Sequence, residues 1–135
     1  KQIIFGNFVT NKTTKKGFNI ITFNTPFLNT PIVLTQVATN KGKDLVVTRT
    51  KNLNKNSFHC SMQESEGLDN KHKTENIHWC AISQNTNTMG DLKIKCGKIS
   101  KLNHKVKTVK YPNNYFSSQP NVLTKCSSYK GKDLP

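Results

Sequence analysis

Between Leu45 and Leu53 the chain alternates with period two. Leu45, Val47, Arg49 and Lys51 share one side, and Val46, Thr48, Thr50 and Asn52 share the other. That is the pattern of a strand with two unlike faces. The same period returns at Ser57–Gln63, where Phe58, Cys60 and Met62 form an apolar face, and a closing strand is expected over Asn76–Ile82. Earlier segments are marked by residue type. Phe18–Phe23 and Ile32–Thr39 are rich in β-branched and aromatic residues, which suit a pleated, half-buried surface. Ile3, Phe5 and Phe8 make an opening strand, with a bulge or bend expected at Gly6. Polar turns separate these runs at 11–17, 40–44 and 54–56, and residues 64–75 read as a long, charged, exposed loop. No window sustains a helical period, so the fold class is all-β, with short antiparallel strands.

The segment from Phe23 to Leu34 organises this pattern. Pro26 and Pro31 withhold backbone donors and push Thr25 and Thr30 away from helical geometry, so a rigid turn is expected between two strands. The segment is also repeated. From Phe27 and from Phe116 the chain aligns with itself without a gap as far as Leu45 and Leu134. The copies share Phe, Pro, Val, Leu, Thr and the whole Lys-Gly-Lys-Asp-Leu turn, at residues 41–45 and 130–134. Leu92–Cys96 resembles the opening strand, with Gly97 in the place of Gly6. The organisation expected is one module over residues 1–84, a linker over 85–91, and a partial second repeat over 92–135.

Composition narrows the function. The 135 residues carry 21 Lys and Arg against 7 Asp and Glu, a formal charge of +14. Arg49 is the only arginine, and Asn is nearly as common as Lys, so part of the excess is a generally lysine-coated surface. The functional reading is an anion-binding face for acidic glycans, phospholipid or nucleic acid. Nucleic acid is the least expected, because arginine forks and stacked aromatics are scarce. No stretch approaches the ~20 apolar residues of a membrane helix. The chain starts at Lys1 without a recognisable signal segment, as a mature product or an excised piece would. Asn11-Lys12-Thr13 is a glycosylation sequon, with Asn11 the acceptor if the protein is secreted.

Catalysis finds little support. No cysteine sits on a glycine-rich elbow, no loop cradles phosphate, and neither a catalytic residue nor a cofactor is expected. The acids of residues 64–75 read as a solvated loop, with weak cation binding as the alternative. A structural zinc site would need Cys60 to join His78 and Cys80, yet His59 points away from Cys60 and no Cys-x-x-Cys occurs, so no metal is expected.

Residues 18–83 resemble an H-type lectin domain, the module of snail agglutinins and discoidin C-terminal regions. The resemblance rests on Ile21-Thr22-Phe23 with Phe27, on Pro31-Ile32-Val33, and on the Leu45-Val46-Val47 strand. It continues through Asn56-Ser57-Phe58 and Trp79-Cys80-Ala81-Ile82, where Cys80 replaces the aliphatic residue of the family's closing motif. It implies a six-stranded antiparallel β-sandwich that often trimerises and binds N-acetylgalactosamine-type sugars without metal. Trp79 reads either as a packing residue of the closing strand or as a sugar-stacking platform; in the second case His78 beside it and Arg49 on the alternating strand would complete the ligand-binding set. The family fold pairs the last two strands, which implies a Cys60–Cys80 disulfide and, by extension to the second copy, Cys96–Cys126. Secretion follows from such bonds. The expected function is extracellular recognition or adhesion through cell-surface glycans. The alternatives are a protein–protein scaffold that has lost the sugar site, and an electrostatic binder of heparin-like chains or membrane surfaces.

Overall fold

A computed structural model describes residues 2–126 and Ser128; the second Lys-Gly-Lys-Asp-Leu turn, at 130–134, lies outside them. The two most apolar-faced segments become the central strands of two sheets. Strand β6 (Glu75–Ile82) lies between β1 (Ile3–Thr10) and β3 (Ile32–Val37), antiparallel to both. Strand β5 (Ser57–Glu64) lies between β2 (Asn19–Thr22) and β4 (Val46–Lys51), again antiparallel to both. The expected all-β class is therefore the observed one, with six strands making two facing three-stranded sheets.

Register decides which side chains meet. In the first sheet Ile4–Ala81–Val33 and Phe8–Ile77–Val37 line up across the strands; in the second, Ile21 lies opposite Phe58 and Thr48 opposite Met62. These rows supply the core, and Phe58, Met62 and Ile77 are wholly buried. Each such side chain contributes about 1.5–3 kcal/mol by leaving water. The sheets touch through Phe58 and Trp79, whose ring centroids are 5.4 Å apart, and through a buried 2.7 Å bond from Thr35 Oγ1 to Thr48 Oγ1. The proline turn closes one end. Phe23 N and Phe27 N donate to Asn56 O and Lys55 O, and the Phe23 and Phe27 rings pack edge to face at 5.0 Å.

Three expectations are corrected. Gly6 forms no bulge; it pairs in an unbroken ladder with Trp79, and a Cβ there would stand 2.3 Å from the indole. Glycine is needed because the ring lies across the backbone. Residues 85–91 are no linker. Strand β7 (Asn85–Met89) pairs with β8 (Leu92–Cys96) around a two-residue Gly90-Asp91 loop, and Gly90 has φ +60°. Glycine in the first position of so short a loop matches the twist of the flanking strands. The region from residue 92 does not rebuild the module: beyond β8 the described residues carry no strand, and residues 98–114 are exposed throughout. Residues 116–124 repeat the Phe, Pro, Val, Leu and Thr of residues 27–35, but among the described residues they pair with no strand.

Candidate functional site

The expected ligand set does not assemble. Trp79 faces inward, among Phe23 at 5.9 Å, Phe58 at 5.4 Å and the Gly6 backbone. Its neighbour His78 takes the opposite, exposed face of β6, as alternation requires. Arg49 belongs to the other sheet and is only 4 % exposed. Near it lies Lys125, whose ammonium is pushed below the usual lysine range first by burial, with Arg49's positive charge adding to the effect. Three residues on three different surfaces cannot hold one sugar, and Trp79 is a packing residue.

The cysteines are corrected as well: Cys60, Cys80, Cys96 and Cys126 are all free thiols. Cys60 and Cys80 sit on the central strands of opposite sheets, not on paired neighbours. Cys60 faces the core, and burial pushes its thiol up to about 12, against a hydrogen-bonding contact with Thr35 that lowers it. Cys80 is half-buried and shares its register row with Phe5, which is 66 % exposed. Burial raises the Cys96 thiol, and the charge of Cys80 adds to it. Cys60, Cys80 and His78 share no common face, so the zinc alternative has no geometry either. Asn11 is exposed, as a glycan acceptor must be; Thr13 of the sequon is buried and its hydroxyl donates to Asn70 O at 3.0 Å.

Sequence reasoning missed a buried ionic network at one end of the sandwich. The 64–75 segment is not simply an exposed loop, for His72 turns inward between two carboxylates. Its Nδ1 is 3.4 Å from Glu64 Oε1 and its Nε2 is 3.2 Å from Glu75 Oε1, and all three side chains are at most 2 % exposed. Glu75 accepts from the Thr39 hydroxyl and from the backbone N–H groups of Lys41 and Gly42, both at 2.7 Å. Burial alone would raise this carboxyl. The bonds from Thr39, Gly42, Lys41 and His72 outweigh it and hold the group at about 2. Since Glu75 is ionised, Nε2 of His72 is the donor in that contact. A Cβ at Gly42 would come within 2.2 Å of the His72 ring, so the first Lys-Gly-Lys-Asp turn requires its glycine. The usable signal was the pair of backbone donors beside a glycine, facing a segment with more acids than any other in the chain.

A second missed feature lies on the hairpin. The Tyr115 hydroxyl lies 3.1 Å from Asn87 O and 3.2 Å from Ile94 O, fastening the C-terminal segment across β7 and β8. An open groove runs there between Ile3, Thr86–Met89 and Tyr115. Between Gly97 and Cys126 there is no acidic residue, whereas Lys98, Lys101, Lys105, Lys107 and Lys110 are all exposed, with His104 among them. Chemically this is a run of hydrated cations on backbone without regular secondary structure. It can hold a polyanion by Coulomb attraction but fixes no single geometry.

With this geometry in place, the chain was compared with known proteins. No protein-family model matches it, and no solved structure does. One curated protein is similar: Halomucin of Haloquadratum walsbyi, 28 % identical over 102 residues, covering 73 % of this chain and 1 % of Halomucin. The chain thus spans about a hundredth of the length of the relative it matches. No helix among the described residues is long and apolar enough to cross a membrane.

Proposed function

We propose that this protein is an extracellular, non-enzymatic recognition module that binds anionic glycans. In this reading the sandwich is the scaffold, and the segment after β8 makes the contacts. The observation that carries the proposal is the run of five exposed lysines over residues 98–110, within a stretch of chain free of carboxylates. A like-charged run with no acidic partner repels itself and stays extended, and it attracts opposite charge over a Debye length of about 10 Å. The H-type lectin resemblance supports a glycan, and the likeness to Halomucin supports a setting outside the cell. The Trp79 arrangement argues against a sugar stacked on that ring.

The test is titration of a sulfated polysaccharide against the intact chain, with a neutral N-acetylgalactosamine polymer alongside. Binding is expected for the sulfated polymer, weakening steeply as salt rises. Replacing Lys98, Lys101, Lys105, Lys107 and Lys110 by Gln should remove most of that binding and flatten its salt dependence. Equal binding by the neutral polymer, insensitive to salt, would contradict the proposal.

A second reading, a protein-assembly module, draws on the outward side chains of edge strand β1. Phe5 and Val9 are 66 % and 68 % exposed there. Light scattering tests it, and a trimer dispersed by Phe5→Ser would favour it.

A further inference from the structure

The first Lys-Gly-Lys-Asp turn does more than pack on His72. Asp44, its last residue, comes together with Glu64 at the end of β5 and Asp69 in the following loop. One carboxylate oxygen from each lies within 4.8 Å of the others. This is unexpected in a chain with 21 basic and only 7 acidic residues. Among the described residues no lysine forms an ion pair with any of the three, and Glu64 has the His72 imidazole beside it.

A cluster of acids on a loop could be held apart by water alone, so the decisive group is the buried one. The Glu64 side chain is fully enclosed. Its Oε2 accepts the Asn70 N–H at 2.9 Å, but its Oε1 accepts no hydrogen bond, and His72 Nδ1, 3.4 Å off, does not supply one. A buried carboxylate oxygen without a donor is costly to keep. Asp44 and Asp69 add two more carboxylates beside it, and the neighbouring imidazole, His72, directs its Nε2 hydrogen to Glu75. The loop is nonetheless built to hold this shape. Asp69 Oδ1 takes the Lys71 N–H at 2.9 Å, Asn70 adopts positive φ (57°), and Thr13 ties down Asn70 O.

We infer that Asp44, Glu64 and Asp69 form a binding site for a hard divalent cation of the Ca²⁺ class. The three convergent donors are all carboxylate oxygens, which suit a hard cation better than zinc or copper. Three carboxylates supply up to six oxygens, and water completes the shell. Such an ion would place positive charge against the buried Glu64 carboxylate and join the 40–44 turn to the 65–72 loop. The site lies on residues 44–69, away from the lysine run at 98–110, so it does not depend on the glycan proposal.

Isothermal titration of the intact chain with CaCl₂ tests it. Binding is expected with a dissociation constant of about 10⁻⁴–10⁻³ M, the range of loosely built extracellular calcium modules. It should be accompanied by a rise in melting temperature that grows with calcium concentration. Asp44 and Asp69 lie toward solvent, so Asp44→Asn and Asp69→Asn should fold, as circular dichroism can verify, yet bind at least about tenfold more weakly. Lys43→Gln should bind calcium at least as well as the original chain. The inference is overturned if the folded protein shows neither binding heat nor a melting shift at about 10 mM calcium, tenfold above that range. It is equally overturned if both aspartate variants bind like the original.

Discussion

Residues 27–35 and 116–124 share Phe, Pro, Val, Leu and Thr at matching positions, in two situations. Phe27 and Val33 are 2 % and 3 % exposed; Val122 and Leu123, opposite Val33 and Leu34 in the alignment, are 63 % and 80 % exposed. The difference is the partner. Residues 32–37 pair along β6 and meet β4 of the opposite sheet through Thr35 and Thr48, whereas residues 116–124 carry no strand. Strand-forming residues therefore make a strand only where another strand satisfies their backbone and an opposite sheet covers their apolar face. The first copy became a scaffold. The second stayed open, next to the most lysine-rich exposed stretch of the chain.

The largest effects should come from the first region. Phe58→Ala removes the ring at the centre of the aromatic cluster and should cost about 3–5 kcal/mol in chemical denaturation. Gly6→Ala should cost comparably, because its methyl group would collide with Trp79 and a flat sheet offers no room to retreat.

The Glu75 network comes next. Glu75→Gln should lower stability by about 1–3 kcal/mol, since backbone donors lose a charged acceptor. The pH dependence has a definite sign. The folded carboxyl titrates at about 2, against an unfolded value near 4.5. Its contribution is complete above pH ~4.5 and is lost as pH falls from there through 2. Glu75→Gln should flatten the acid limb of the stability curve in that window.

In the second region the effects should be small. Tyr115→Phe removes the tie to Asn87 and Ile94 and should cost about 0.5–1.5 kcal/mol, seen as faster proteolysis after β8. Val122→Ala and Leu123→Ala should each change stability by less than about 0.5 kcal/mol. The same truncation at Val33 should cost several times more.

Much of the sandwich was legible in the sequence. Alternation in β4 and β5 and the aromatic runs of β1 and β2 located the strands, because each needs one buried face. Strand β7 was not legible from hydropathy, since Asn-Thr-Asn-Thr has no apolar face. Its Gly-Asp loop was the available signal. The partners of β5 and β6 could not be read at all. Which strands share a sheet is settled by packing between distant segments, and it separates Cys60 from Cys80. The proposed glycan set failed for a related reason: alternation sends Trp79 and His78 to opposite faces of one strand. The Glu64–His72–Glu75 network hid within a segment whose composition reads as solvated. Charged residues go inside only when their partners arrive from elsewhere, here the 39–42 turn.

The most direct test of the contrast between the two copies is native-state hydrogen exchange, read segment by segment. Amides of 32–37 should exchange only through global opening, while those of 116–124 exchange near the rate of an unstructured peptide. Equal, strong protection of both segments would mean that the second copy is paired after all, and the account would be wrong.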